Sequence, residues 1–382
     1  MTHTNYRVLK SGIMIDSALY SENTVKNAIS IFSGDVHVTA EKKSHQWHIH
    51  FESKNPSDLK KAIDFFNTEL VKLKISEIKT EQMRQSTIKG NRFMFVINHK
   101  CNNNCLHCAE SENRSNPEPS AVEIKKTLED VLVDGFSDVF FSGGEPTLRK
   151  DIIELVGFAK SRGYRVLLFT NGRKFSGTAF AEHMASAGLY SVVIPLHSHI
   201  PEVHDRVTSV RGSYKETMQG ICNCLEKNIL VNIKIIPTKL NYISLPETVE
   251  FIGKNFKGSR IIFDMLHIGG NALRNESRIS VKRSKTAKYL EKALDFAIDK
   301  NLDVTVESFP LCLIERKYWG CIRNSRIVVS AYKKSLSETR IGGEGQILAE
   351  KCSVCSVKDR CPGTWESYFK RYGDSELKPL VS

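Results

Sequence analysis

No apolar run in this 382-residue chain approaches the ~18 residues needed to cross a bilayer. Met1 to Lys10 also lacks the apolar stretch of a secretion signal. Export and membrane insertion are not expected, and the expected location is cytoplasmic. Proline is sparse, at 11 residues, and no segment is of low complexity. With 41% hydrophobic and 26% charged residues, the composition excludes a collagenous, coiled-coil or disordered chain. Concentrated charge is absent too. The formal net charge is +12, but no segment stands out as a stripe or arm, so nucleic acid is not the expected partner. The one basic run, Arg278 to Lys288, reads as the opening of a solvated helix. The length calls for two to three compact units.

What the chain does have is cysteine. Ten are present, and a reducing compartment argues against disulfides. Cys101, Cys105 and Cys108 form one group; Cys352, Cys355 and Cys361 form another, with Cys312 and Cys321 nearby. Clusters of this kind are usually metal ligands. Cys222 and Cys224 lie two apart in a helical stretch, cannot face the same way, and read as packing residues.

From Asn91 to about Val306 short apolar runs alternate with amphipathic stretches. Strands are predicted at Arg92–Asn98, Asp138–Phe141, Tyr164–Phe169, Ser191–Leu196, Leu230–Ile236 and Arg260–Leu266. Helices are predicted at Ser120–Val133, Lys150–Ala159, Gly177–Ala187, Tyr214–Lys227, Leu245–Asn255 and Lys282–Lys300. The alternation implies an α/β fold of parallel strands with right-handed crossovers. Six units fit a partial (β/α)6 TIM-like barrel or an open doubly wound sheet, and both put functional residues at the carboxyl ends of strands. Residues 1–88 read as a small α+β module: a strand at Ile13–Ile15, a helix at Glu22–Ile31, a hairpin of Asp35–Thr39 and His45–Phe51, then helices at Ser57–Leu73 and about Ser76–Thr87. The core is expected over 91–310. Residues 311–382 are Cys-rich and weakly periodic, and are expected to fold around metal.

The segment Cys101-Asn-Asn-Asn-Cys105-Leu-His-Cys108 follows the first core strand. Three thiolates at this spacing can hold three corners of a cubane iron–sulfur cluster, and the missing fourth ligand leaves one iron open. Zinc would normally want four closed ligands. Ser142-Gly143-Gly144-Glu145-Pro146 ends the second strand, Thr170-Asn171-Gly172 the third and Pro195-Leu196-His197-Ser198 the fourth. Two glycines suit close backbone approach to a ligand, and a carboxylate suits an ammonium group.

Together these motifs resemble the radical S-adenosylmethionine (SAM) superfamily over about residues 91–270. The resemblance implies a 4Fe–4S cluster on Cys101, Cys105 and Cys108 that binds SAM, with Gly143, Gly144 and Glu145 at its amino group. It also implies Asn171 in the site, Ser198 at the ribose or carboxylate, and His107 near the adenine. Arg211 is either a partner for the carboxylate or a surface-loop residue. The implied chemistry is reductive cleavage of SAM to a 5′-deoxyadenosyl radical that removes hydrogen from an unactivated carbon. An electron donor of the flavodoxin or ferredoxin type is implied with it.

Cys352-Ser-Val-Cys355 followed by Cys361, with Cys312 upstream, resembles the auxiliary-cluster extensions (SPASM and twitch types) of peptide-modifying members. The pattern departs from the full SPASM form, because Trp365 stands where a further Cys would be expected. One second 4Fe–4S cluster is therefore expected, on Cys312 in preference to Cys321, with Cys352, Cys355 and Cys361. A structural zinc knuckle is the alternative.

The stretch from Ser17 to Gln85 resembles the small partner protein of the His-Xaa-Ser peptide maturation system. Ile194-Pro-Leu-His-Ser, with His204-Asp205, Gly212-Ser-Tyr, Thr217 and Gly220, resembles the radical SAM maturase of that system. The implied partner is a ribosomally made precursor peptide, with the front module recognising it or serving only for packing. The rivals are modification of tRNA or a nucleotide, and a non-catalytic iron–sulfur subunit. His48 and His50 share a strand face near His45, but without a third clear ligand they read as exposed strand residues.

Overall fold

A computed structural model describes residues 9–17, 20–30, 32, 36–53, 55, 57–70, 92–133, 136–323, 328–330 and 345–381. The chain divides into two compact units, residues 1–85 and 86–382. The helix expected at about Ser76–Thr87 lies outside the described residues.

In the first unit β1 (Leu9–Asp16), α1 (Glu22–Ile29), β2 (Val36–Lys43) and β3 (Gln46–Ser53) are followed by α2 over 57–70. The strands form an antiparallel sheet in the order β1-β3-β2. They run longer than expected because β3 pairs with both neighbours over eight positions. Along β3 the buried Trp47, Ile49 and Phe51 alternate with His48 and His50. The apolar side packs on Val25 and Ala28 of α1 and on Ala62, Phe66 and Leu70 of α2.

The second unit is a parallel sheet whose strands follow chain order. It comprises β4 (Arg92–Asn98), β5 (Asp138–Gly143), β6 (Arg165–Phe169), β7 (Leu189–Pro195), β8 (Leu230–Ile235), β9 (Arg260–Asp264) and β10 (Val304–Glu307). Helices α3 (Ala121–Val133), α4 (Ile152–Ser161), α5 (Thr178–Ser186), α6 (Pro201–Thr208), α7 (Ser213–Glu226), α8 (Leu245–Asn255), two short turns α9 (Asn271–Arg274) and α10 (Glu276–Ile279), and α11 (Arg283–Asp299) fill the crossovers. α3 starts on a reciprocal cap. The Glu123 amide donates to Ser120 Oγ at 3.2 Å, and the Ser120 amide donates to Glu123 Oε2 at 2.8 Å.

Strand residues Phe95, Phe141, Leu168, Ile194, Ile233 and Phe263 lie in the core shared with the helices. Each fully buried side chain of this size contributes roughly 1.5–3 kcal/mol. The alternate positions line the inner face. At the amino ends of the strands that face carries charge: Arg165 Nε meets Asp138 at 2.7 Å, and Arg260 meets Asp303 at 2.9 Å.

The six expected strands are joined by β10, and both sheet edges are extended by the C-terminal segment. β11 (Ile322–Arg323) pairs with β10, and β12 (Val328–Ser330) pairs with β4. A flat nine-stranded sheet would hold its edges ~38 Å apart at ~4.8 Å per strand. Five residues span at most ~18 Å, so the sheet must curl into a nearly closed barrel. Residues 311–382 therefore belong to the same compact unit as the barrel. The remaining elements are β13 (Gln346–Ile347), β14 (Thr364–Trp365) and α12 (Glu366–Tyr372).

Candidate metal and cofactor site

The loop after β4 carries Cys101, Cys105 and Cys108, and it is held from three sides. The carbonyls of Thr208 and Val207, at the end of α6, accept from the Asn104 and Leu106 amides at 3.0 and 2.8 Å. From the loop after β6, Arg173 donates to Asn102 O at 2.7 Å and to Asn103 Oδ1 at 2.9 Å, while Glu216 fixes its Nε. From α9, the Asn271 amide donates to Cys108 O at 2.9 Å and its side chain donates to Cys105 O at 3.1 Å. Gly270 (φ +52°) permits this approach, since a Cβ there would lie 2.8 Å from Cys108 O. Burial pushes all three thiols up, Cys105 to about 12. They give up their protons readily only to a bound cation. Three thiols on one clasped loop fit the donor set of a three-cornered cluster.

The Gly143–Gly144 pair packs against the loop after β4. A Cβ on Gly143 would collide with Asn98 O, and one on Gly144 with the carbonyls of His99 and Lys100. The close approach is thus between two loops of the chain itself. It is fastened by the Glu145 amide donating to Lys100 O at 2.7 Å and by Asn98 Nδ2 donating to Glu145 O at 2.8 Å. Glu145 is held within the chain as well. Its side chain is fully buried, and its oxygens accept from Thr147 N (3.0 Å), Thr147 Oγ1 (2.6 Å), Thr170 Oγ1 (2.7 Å) and Asn171 N (2.6 Å). A carboxylate so occupied ties the loops after β5 and β6 together.

Asn171 is buried beside it and donates to Asn102 Oδ1 at 2.6 Å, joining the β6 loop to the Cys loop. Ser198 is fully buried, and its Oγ accepts from Ile200 N at 3.1 Å, shaping the turn into α6. Arg211 is exposed in the turn between α6 and α7. His107 is half-buried, its ring centred 4.6 Å from that of His197, which in turn lies 5.3 Å from His204. Burial holds His107 and His204 down to about 4 and His197 well below the usual imidazole range. Ligand atoms of Cys105, His107 and His197 lie within 4.8 Å of one another.

The second cysteine group converges. Cys312, Cys352, Cys355 and Cys361 line one small cavity, walled by Pro310, Leu311, Ile347, Leu348, Phe369 and Leu377. Backbone N–H groups point at its sulfurs: Leu311 N lies 3.5 Å from Cys361 Sγ, and Leu380 N lies 3.4 Å from Cys355 Sγ. Such N–H···S contacts favour the thiolate. Cys321 does not line the cavity; it packs against the main core. Trp365 is a structural pin: its Nε1 donates to Met265 O at 3.0 Å. Cys224 is fully buried in the core, with Cys222 packed against it.

Sequence reasoning missed Asn98, Arg173 and Asn271, although each abuts a motif: the strand before the Cys loop, Thr170-Asn171-Gly172, and Gly269-Gly270. It also missed a charged wall at the carboxyl ends of β8, β9 and β10. Lys234 and Asp264 pair there at 2.6 Å. Burial works against the Lys234 ammonium, but Asp264 and Glu307 outweigh it and hold it above its ordinary range. Burial raises Glu307 to about 7.

Residues 95–252 match the family model of the Radical SAM superfamily. The chain is 29% identical over 222 residues to the Fe-coproporphyrin III synthase of Methanosarcina barkeri, covering 56% of this chain and 52% of that protein. It is 28% identical over 188 residues to the PqqA peptide cyclase of Bradyrhizobium diazoefficiens, covering 49% of each. The match thus spans about half the length of these curated relatives. In fold, the chain is similar to native anSMEcpe solved with bound AdoMet and a peptide, with a TM-score of 0.54 and 15% identity, over 76% of this chain and 92% of that one. No helix among the described residues is long and apolar enough to cross a membrane.

Proposed function

Residues 95–252 match the Radical SAM family model, and from that match we propose that the chain is a radical SAM enzyme that matures a ribosomally made precursor peptide. The family implies a 4Fe–4S cluster and SAM. When bound, these supply a 5′-deoxyadenosyl radical that abstracts hydrogen. The observation that carries the catalytic reading is the clasped Cys101–Cys105–Cys108 loop at the carboxyl ends of the barrel strands. In this reading Cys101, Cys105 and Cys108 hold the cluster. The backbone of Gly143 and Gly144 meets the amino group, while Glu145 and Asn171 keep the loops in register. His107 and Ser198 stand beside the nucleoside, and Arg211 is left at the surface.

The peptide half of the proposal is supported by the likeness to a peptide cyclase and by the separate N-terminal α+β unit. The four-thiol cavity supports a second 4Fe–4S cluster on Cys312, Cys352, Cys355 and Cys361, an electron acceptor for an oxidised product. A flavodoxin or ferredoxin would reduce the first cluster. Likeness of comparable strength to Fe-coproporphyrin III synthase favours a tetrapyrrole as the second reading.

The test is the intact mass of a short peptide encoded beside the gene after anaerobic co-expression, with Cys101, Cys105 and Cys108 changed to Ala as control. A mass change seen only with the native cysteines is the expected result. An unchanged peptide from an enzyme that still forms 5′-deoxyadenosine would transfer the reading to a tetrapyrrole or nucleotide.

A further inference from the structure

His197 has no part in the hydrogen bonds described so far, yet it is among the most confined polar side chains of the barrel. It follows β7 directly. Its amide donates to His204 Nδ1 at 3.3 Å, and its carbonyl accepts from Asn241 Nδ2 at 2.7 Å. The backbone is therefore pinned on both sides, which fixes where the ring projects. That ring is only 1% exposed, and neither nitrogen has a hydrogen-bond partner among the described residues. An imidazole always carries at least one N–H donor, and leaving it unpaired in the interior is unfavourable.

The ring is aimed at the Cys loop. One of its nitrogens lies within 4.8 Å of Cys105 Sγ and of a His107 nitrogen. The ring packs against those of His107 and His204. His204 Nδ1 already receives the His197 amide, and Asn241 points its donor at the backbone. That leaves Cys105 and His107, both on the Cys loop, as the groups placed together with the ring nitrogens.

We propose that His197 donates its ring N–H to the sulfur of Cys105 when the iron–sulfur cluster is bound, and so raises the cluster's reduction potential. This rests on the reading that Cys101, Cys105 and Cys108 hold that cluster. The physical reason is that an N–H directed at a ligand sulfur draws electron density away from the iron and stabilises the reduced state. The donor sits just after β7, off the Cys loop, so the barrel itself would set how readily the cluster accepts an electron.

The test is a redox titration followed by electron paramagnetic resonance on the anaerobic full-length chain. Cys352 and Cys355 are changed to Ala so that one cluster signal remains. His197→Phe keeps the ring volume and removes the donor; the expected result is unchanged iron content with a midpoint shifted to more negative potential. His197→Gln restores an N–H and is expected to return the midpoint toward wild type. An unshifted midpoint in His197→Phe overturns the proposal. So does loss of iron in both variants, which would make His197 a ligand or a packing residue. A measurement without any substitution stands beside these: 15N-histidine labelling of the chain is expected to give a 15N coupling to the reduced cluster, and its absence overturns the assignment. No iron at all in the unsubstituted site would instead refute the cluster reading itself.

Discussion

The role of Glu145 can be decided by one substitution. Glu145→Gln conserves shape but replaces one carboxylate oxygen with an NH2 group. Thr147 N points at one oxygen and Asn171 N at the other, so the amide must face at least one backbone donor. A hydrogen bond to a charged group is worth roughly 1.5–3 kcal/mol, and an unsatisfied buried donor adds a similar cost. The expected loss is about 2–4 kcal/mol, because the remaining oxygen still accepts from its side. In a domain of this size that corresponds to a fall in melting temperature of roughly 5–12 °C. The assay is anaerobic thermal unfolding of the full chain, paired with the KM for SAM in 5′-deoxyadenosine formation. A carboxylate gripping the ammonium directly would behave oppositely, with KM rising while the melting temperature held. That outcome would refute the argument made from its four hydrogen bonds.

Three further expectations follow from the geometry. Cys312→Ala should lose the iron of the second site while Cys321→Ala retains it, as counted by iron analysis of chains lacking Cys101, Cys105 and Cys108; equal losses would contradict the cavity assignment. Asn271→Ala should slow cluster assembly and raise the protease sensitivity of the Cys loop, because Cys105 O and Asn104 Oδ1 lose their side-chain donor while the backbone bond to Cys108 O stays. Unaltered proteolysis would argue that α9 is not a clasp. Glu307, raised by burial and by Asp264 from 4.5 to about 7, binds a proton in the folded state that the unfolded chain has already released. Its contribution to stability is therefore complete below about 4.5 and declines as pH rises through 7. Glu307→Gln should remove that decline, so its stability relative to wild type grows between pH 5 and 7.5; parallel urea-unfolding curves across that range would disprove it.

Much of the barrel was legible because its strands are buried on both faces and its helices on one. Arg92–Asn98 and Leu230–Ile235 read as nearly continuous apolar runs between amphipathic stretches. The Cys spacing, Gly143–Gly144 and Asn171 were visible for the same reason, since each sits just after such a run. The strand at Val304–Glu307 escaped notice because four residues carry too little periodicity. β11 and β12 escaped because two or three residues join a sheet only where an open edge awaits them.

By itself the sequence determined the order of strands and helices, the thiols available for metal, and the loops that carry them, because local periodicity and spacing are properties of neighbours along the chain. Only the tertiary structure decided which partner each group meets. Glu145 is one carboxylate beside two glycines until the fold brings four donors from two loops around it. Cys312 and Cys321 are alike until the fold brings one into the cavity and packs the other on the core. His197 is one histidine of twelve until burial removes every partner but the Cys loop. Hydrogen bonding and desolvation depend on groups far apart in sequence, and their outcome is settled only when the chain closes around them.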